Sequence, residues 1–200
     1  IVIGPVVALR DQLAWFENRP LFGLRIAVTH AEQRKGPLEE QLAALGAGVF
    51  SFPTLEVEPE ATPGVFLDPG RHDWIVLTSA NAADMLFASL DHEGKDARAL
   101  AGVRLCAVGA STIDALATRY LNADAIPENY TSEAIVAAMM RMGNLNGASV
   151  LVPRADVGRA SLAQALTDAG ALVDEAIAYH TRLPAASGAL KDELLGYQPH

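Results

Sequence analysis

A run of four apolar residues, Trp74-Ile-Val-Leu77, lies between Asp73 and Thr78-Ser-Ala-Asn81 and limits what this chain can fold into. A continuous apolar run that ends in hydroxyl residues fits a strand buried on both faces. Ser79 can cap the following segment, Ala80 to Leu90, in which Ala82, Met85, Leu86 and Leu90 keep helical spacing. The stretch is therefore a strand, a hydroxyl-rich turn and a helix N-terminus. In open α/β sheets, ligands sit outside the carboxyl ends of strands, and free N–H groups there favour anions. Taken alone, the stretch favours a plainer reading, in which Thr78 and Ser79 only cap a helix.

The same alternation runs along the rest of the chain. Arg25 to Thr29 reads as a strand, Gly36 to Leu45 as a helix stopped by Gly46, and Ala47 to Phe52 as a strand. Pro53 to Gly70 holds four prolines and several acids, and reads as an extended crossing between two bodies. After Trp74–Leu77 come a helix, a charged loop or ragged helix end from Leu90 to Ala101, a strand at Val103–Val108, and a turn in which Ser111 and Asp114 have capping-box spacing. A short strand is expected at Asn122–Pro127, a helix start at Thr131-Ser-Glu133 before Ile135–Met142, and a strand at Ala148–Val152. A helix at Ser161–Leu166, its stop at Gly170 and a strand at Leu172–Tyr179 complete the pattern. Such alternation predicts an α/β fold of parallel sheets with helices on both faces.

Composition narrows the function. A net charge of −9 argues against nucleic acid and anionic membranes as partners. No apolar run approaches the roughly 18 residues of a spanning helix. The single Cys106 sits in an apolar run, excludes an internal disulfide and suits a reducing cytoplasm. His30, His72, His92, His180 and His200 show no ligand spacing, and the chain has no phosphate loop or dinucleotide fingerprint.

Residues 26–50 match residues 150–174 without a gap, with seven identities in 25 positions at an offset of 124. Val28 falls on Val152, Ala31 on Ala155, Leu38 on Leu162, Leu42 on Leu166, Gly46 on Gly170, Ala47 on Ala171 and Val49 on Val173. Any two β-α-β units share some of this pattern; the absence of a gap favours duplication of a domain, with a cleft between two similar bodies.

Taken in order, Val28-Thr29, Leu-Gly-Ala (45–47), Thr-Ser-Ala-Asn-Ala (78–82), Ala-Val-Gly (107–109), Thr-Ser-Glu (131–133), Leu-Val-Pro-Arg (151–154) and Ala-Tyr-His-Thr (178–181) resemble uroporphyrinogen-III synthase. The resemblance implies two flavodoxin-like domains joined by a two-stranded linker, with the first domain discontinuous. Residues 23–52 plus 185–200 would form domain one, 53–72 the crossing linker and 73–184 domain two. Residues 1–22, with Ile-Val-Ile-Gly-Pro-Val-Val and Trp-Phe-Glu-Asn-Arg-Pro-Leu-Phe-Gly, resemble the tail of an S-adenosylmethionine-dependent uroporphyrinogen-III C-methyltransferase, as in bifunctional fusions. In the family a further β-α half completes domain one. The expectation is thus a truncated first domain with an exposed sheet edge, lowered stability and impaired activity.

The implied reaction closes hydroxymethylbilane to uroporphyrinogen III, with loss of water and inversion of the last pyrrole. It is a step of the tetrapyrrole biosynthesis that leads to heme, siroheme and cobalamin, and no cofactor or metal is implied. The polycarboxylate substrate conflicts with an acidic chain unless helix N-termini act locally. The turns with Thr78, Ser79, Asn81, Gly109, Ser132 and Glu133 would present such donors, and Arg154 would add a bidentate clamp. Tyr179 matches the family's tyrosine and would assist departure of the hydroxyl. Each has a structural alternative: a strand-end aromatic for Tyr179, a surface ion pair for Arg154, a helix start for Ser132 and Glu133, a local hydrogen bond for Asn81. His30 stands where the family often has arginine, and is expected to be exposed without a binding role. Two competing readings are a non-catalytic tetrapyrrole-binding module attached to the methyltransferase, and a receiver-type regulatory domain. A receiver needs acids at strand carboxyl ends, whereas Asp73 precedes its strand.

Overall fold

The computed structural model describes residues 4–5, 9, 14–31, 36–60, 68–157, 161–184 and 187–200. Its elements are β1 (Arg25–Ala31), α1 (Pro37–Ala44), β2 (Gly48–Pro59), β3 (Trp74–Leu77), α2 (Ala80–His92), β4 (Arg104–Ala107) and α3 (Ala110–Ala117). They continue with α4 (Ser132–Met140), β5 (Ser149–Ala155), α5 (Ser161–Asp168), β6 (Leu172–Arg182) and α6 (Ser187–Tyr197). This is an α/β fold with six strands among the described residues. The chain divides into two compact units, 1–57 with 182–200, and 58–181.

The second unit is built on strand alternation. Ile75 and Leu77 face a core with Leu86, Phe87 and Leu90 of α2 and Leu116 of α3. Trp74 and Val76 face the other core, with Ile135 and Met139 of α4 and Leu162 and Leu166 of α5. All four strand residues are buried, because successive side chains point to opposite sides and a helix layer covers each. Cys106 lies in the second core, and burial pushes its thiol up to about 12. β3 pairs in parallel with both β4 and β5, and β5 with β6. A parallel bridge joins Cys106 to Ala125, where a short strand was expected. Neighbours in this unit therefore run Ala125, β4, β3, β5, β6. The winding reverses at the gap between β3 and β5, the switch point of a doubly wound sheet.

In the first unit, β1 and β2 pair in parallel. The register repeats that of β5 and β6 at the offset of 124. Arg25 faces Gly48 as Ser149 faces Leu172, and the register shift from His30/Pro53 to Ala31/Leu55 recurs from Arg154/Ile177 to Ala155/Tyr179. Both helices end the same way: Gly46 and Gly170 take φ of +97° and +89°, and Ala47 N–H and Ala171 N–H donate to Leu42 O and Leu166 O. This is the Schellman closure, for which glycine is the usual residue.

Several expectations are corrected. The strand expected to stop at Phe52 continues to Pro59, so the start of the crossing is hydrogen-bonded sheet. Glu60 N–H still donates to Ala178 O. Ser111 and Asp114 form no capping box: Gly109 is the N-cap, which places Ser111 inside α3, and no side chain caps this start. Of the two readings for Leu90 to Ala101, the helix end holds as far as His92, where α2 stops; the 3-10 turn at Ala97–Leu100 was not expected. α6 was not anticipated. Its Tyr197 stacks on Phe50 at 5.3 Å within the first unit. Most of residues 1–13 of the tail expected at 1–22, and residues 61–67 of the crossing, fall outside the described residues.

Candidate functional site

A cavity of about 590 Å³ opens at the carboxyl ends of β3, β5 and β6, wholly within the second unit. That is the switch point, where diverging helices leave a crevice. Three helix starts meet it: Ser79 before α2, Thr131 to Glu133 at α4, and Ser161 at α5. Ser79 Oγ accepts from Ala82 N–H at 3.1 Å and Thr131 Oγ1 from Ala134 N–H at 3.3 Å. These caps satisfy one orphan donor each; the remaining first-turn N–H groups and the helix dipoles favour negative charge at these turns.

Tyr179 reaches the cavity from β6, where its hydroxyl lies 3.1 Å from Ser79 Oγ. The register shift beside Arg154 and Ala155 sets this position, and Asp156 N–H donates to Tyr179 O at 3.0 Å. Such irregularities re-aim side chains next to sites. Arg154 lines the cavity but is not an open clamp. Its Nη1 donates to Ala155 O at 3.0 Å and more weakly to Asp156 O at 3.4 Å. Its Nε stands 3.0 Å from Glu175 Oε1, yet is not aligned for a hydrogen bond. A short contact without alignment is an ion pair only, and Nη2 makes no hydrogen bond with a described residue. Arg154 thus offers one edge to an anion while holding the exit of β5.

The expected residues separate into two groups. Thr78, Ser79, Ser132, Glu133, Arg154 and Tyr179 come together around the cavity. Asn81 and Gly109 do not line it. Gly109 acts beneath the surface: with φ of +87°, a Cβ there would lie 2.8 Å from Tyr130 Cε1. Tyr130, 78% exposed, forms the rim above it. Sequence reading missed Tyr130, Ser161 and Glu175. The glycine in Ala-Val-Gly (107–109) was the available signal for close approach by an aromatic ring. His30 is also corrected. Its side chain is only 11% exposed, with Nε2 2.6 Å from Ser51 Oγ and 3.3 Å from Glu39 Oε1. Among the described residues no group of three or more His, Cys, Asp or Glu could hold a metal ion, and no helix is long and apolar enough to cross a membrane.

The family model described as "Uroporphyrinogen-III synthase HemD" matches residues 36–196. The chain is 36% identical over 132 residues to "Porphyrin biosynthesis protein HemD" of Ruminiclostridium josui, covering 64% of this chain and 26% of that protein. It is 33% identical over 173 residues to "Uroporphyrinogen-III synthase" of Synechococcus elongatus, covering 84% of this chain and 64% of the relative. The chain therefore spans between about a quarter and two thirds of these relatives' length. Two solved structures share the fold. A mutant uroporphyrinogen III synthase from Thermus thermophilus gives a TM-score of 0.55 at 22% identity, over 87% of this chain and 69% of that one. A uroporphyrinogen-III synthetase from Helicobacter pylori gives 0.55 at 19%, over 88% and 69%.

Proposed function

This chain belongs to the uroporphyrinogen-III synthase HemD family, and from that premise we propose that it closes hydroxymethylbilane to uroporphyrinogen III. The observation that carries the reading is the cavity at the switch point, where the Tyr179 hydroxyl meets the helix starts at Ser79, Thr131 and Ser161. Its volume of about 590 Å³ falls within the usual range for small-molecule sites. Helix N-termini and the open edge of Arg154 take the substrate's carboxylates, despite the acidic chain. Thr78, Ser132, Glu133 and the Tyr130 rim position the bilane, while Asn81 and Gly109 support the turns behind them.

In the first step the bond between the hydroxymethyl carbon and its oxygen breaks, and the electron pair leaves on oxygen. The Tyr179 phenol gives that oxygen its proton, so water departs. The pyrrole nitrogen supplies electrons to the carbon left behind. The already substituted α-carbon of the last pyrrole bonds to that carbon and forms a spiro centre. The older bond from this centre to its methylene then breaks, its electron pair returning to the last pyrrole, and that methylene bonds to the ring's free α-carbon. The ring is thereby inverted, and the one proton lost from the free α-carbon restores the phenol. No cofactor takes part in these steps. We read the whole as two flavodoxin-like domains with the first discontinuous, residues 1–22 as the tail of a fused C-methyltransferase, and the setting as cytoplasmic.

The test is turnover of freshly generated hydroxymethylbilane by the full-length polypeptide that carries these residues, with isomer III resolved from the spontaneous isomer I. Isomer III is expected from the wild type, and Tyr179→Phe is expected to lower kcat by about 10²-fold or more. Isomer I alone from a folded protein overturns the synthase reading and leaves a tetrapyrrole-binding module.

A further inference from the structure

We infer that Ser79 is a positioning residue for Tyr179, donating its hydroxyl hydrogen to Tyr179 Oη so that the phenol keeps its own proton for the ligand. The inference rests on the synthase reading and assigns a role to a contact inside that site. Ser79 Oγ is 3.1 Å from Tyr179 Oη and accepts from Ala82 N–H at 3.1 Å. A serine hydroxyl has one hydrogen and two lone pairs. If Tyr179 donated, Ser79 Oγ would accept twice, and its own hydrogen would find no acceptor among the described residues. If Ser79 donates, Ala82 N–H, Ser79 O–H and Tyr179 Oη line up head to tail, each bond polarising the next. The positive end of α2 favours that order, because it places an electron-rich phenol oxygen at the end of the relay. Asp156 N–H, donating to Tyr179 O, fixes the backbone from the other side. One atom of Ser79 therefore starts a helix and sets the direction of the phenol proton.

Capping and donation can be separated by chemistry. Asp caps a helix as well as Ser, but its carboxylate only accepts. It would take the Tyr179 proton into a hydrogen bond instead of leaving it for the ligand. In the full-length protein, Ser79→Asp is expected to melt within a few degrees of wild type. Its kcat should nonetheless fall toward that of Tyr179→Phe, with any KM rise from charge repulsion read separately. Ser79→Thr keeps the donor and should recover most of kcat relative to Ser79→Ala. Ser79→Ala should lower kcat by about 10-fold alone, but by less than about 2-fold in the Tyr179→Phe background. A Ser79→Asp variant with wild-type kcat, or equal losses from Ser79→Ala in both backgrounds, overturns the inference while leaving the synthase reading intact. A wild type that forms no isomer III removes that reading, and this inference with it.

Discussion

The β-α-β units at residues 25–55 and 149–179 share a register, a register shift and a helix stop, yet they differ in what they bury. Leu162 and Leu166 of α5 are 8% and 0% exposed. Their counterparts on α1 are Leu38, 52% exposed, and Leu42, half-buried; α1 buries none of its residues. At the carboxyl ends, Arg154, Glu175 and Tyr179 stand where the first unit has His30, Ser51 and Leu55. Asp174 is held by Arg71 and His72, whereas its counterpart Phe50 stacks on Tyr197. Backbone pattern and local closure are thus repeated while chemistry and burial are not. Function lies in side chains placed on a common frame.

The largest expected break in the comparison is Leu166→Ala. It opens a void in a fully packed core and should cost about 2–5 kcal/mol, while Leu38→Ala at the equivalent helix should cost less than about 0.5 kcal/mol. Urea titration of both variants checks this, and equal losses would show that the repeats are equally buried in solution.

Gly109→Ala comes next. The positive φ and the 2.8 Å approach to Tyr130 should cost about 1–3 kcal/mol and displace the rim. KM should rise, and Tyr130→Ala should relieve the steric part of the loss.

A smaller effect separates the two anchors by pH. The hydrogen bond from His72, with the nearby charges of His72 and Arg71, holds the Asp174 carboxyl below its ordinary value. A depressed carboxylate contributes stability at pH above its unfolded value, and that stability is lost as pH falls through the lower folded value. With Asp174 half exposed, the effect should stay below about 1 kcal/mol. Asp174→Asn should therefore flatten part of the acid limb of stability below about pH 4. Phe50→Leu should lower stability without changing that slope.

Much of the second unit was legible because local signals agreed with its packing. Trp74–Leu77 reads as a doubly buried strand, and Ser79 caps α2 through Ala82 N–H as its position suggests. Other features depend on distant partners. Pro53 suggested the end of a strand, yet the register shift beside His30 accommodates it within β2. Gly109 takes the cap position from Ser111 through a positive φ that no spacing rule reveals. His30 looked exposed because Ser51 and Glu39 reach it from other elements. Tyr130 and Glu175 belong to the cavity only because the sheet winds both ways from β3. α6 lacks a clear apolar stripe, and its one anchoring ring, Tyr197, is matched by a strand residue far away in sequence.

The central claim is that the ligand is held at the helix starts of the second unit. Amide chemical-shift mapping with uroporphyrinogen III as the probe, under reducing conditions, tests it directly. The account predicts saturable shifts at residues 79–82, 131–134 and 161–163, together with Tyr130 and Tyr179. Shifts confined to other residues, with these amides unmoved at saturation, would contradict it.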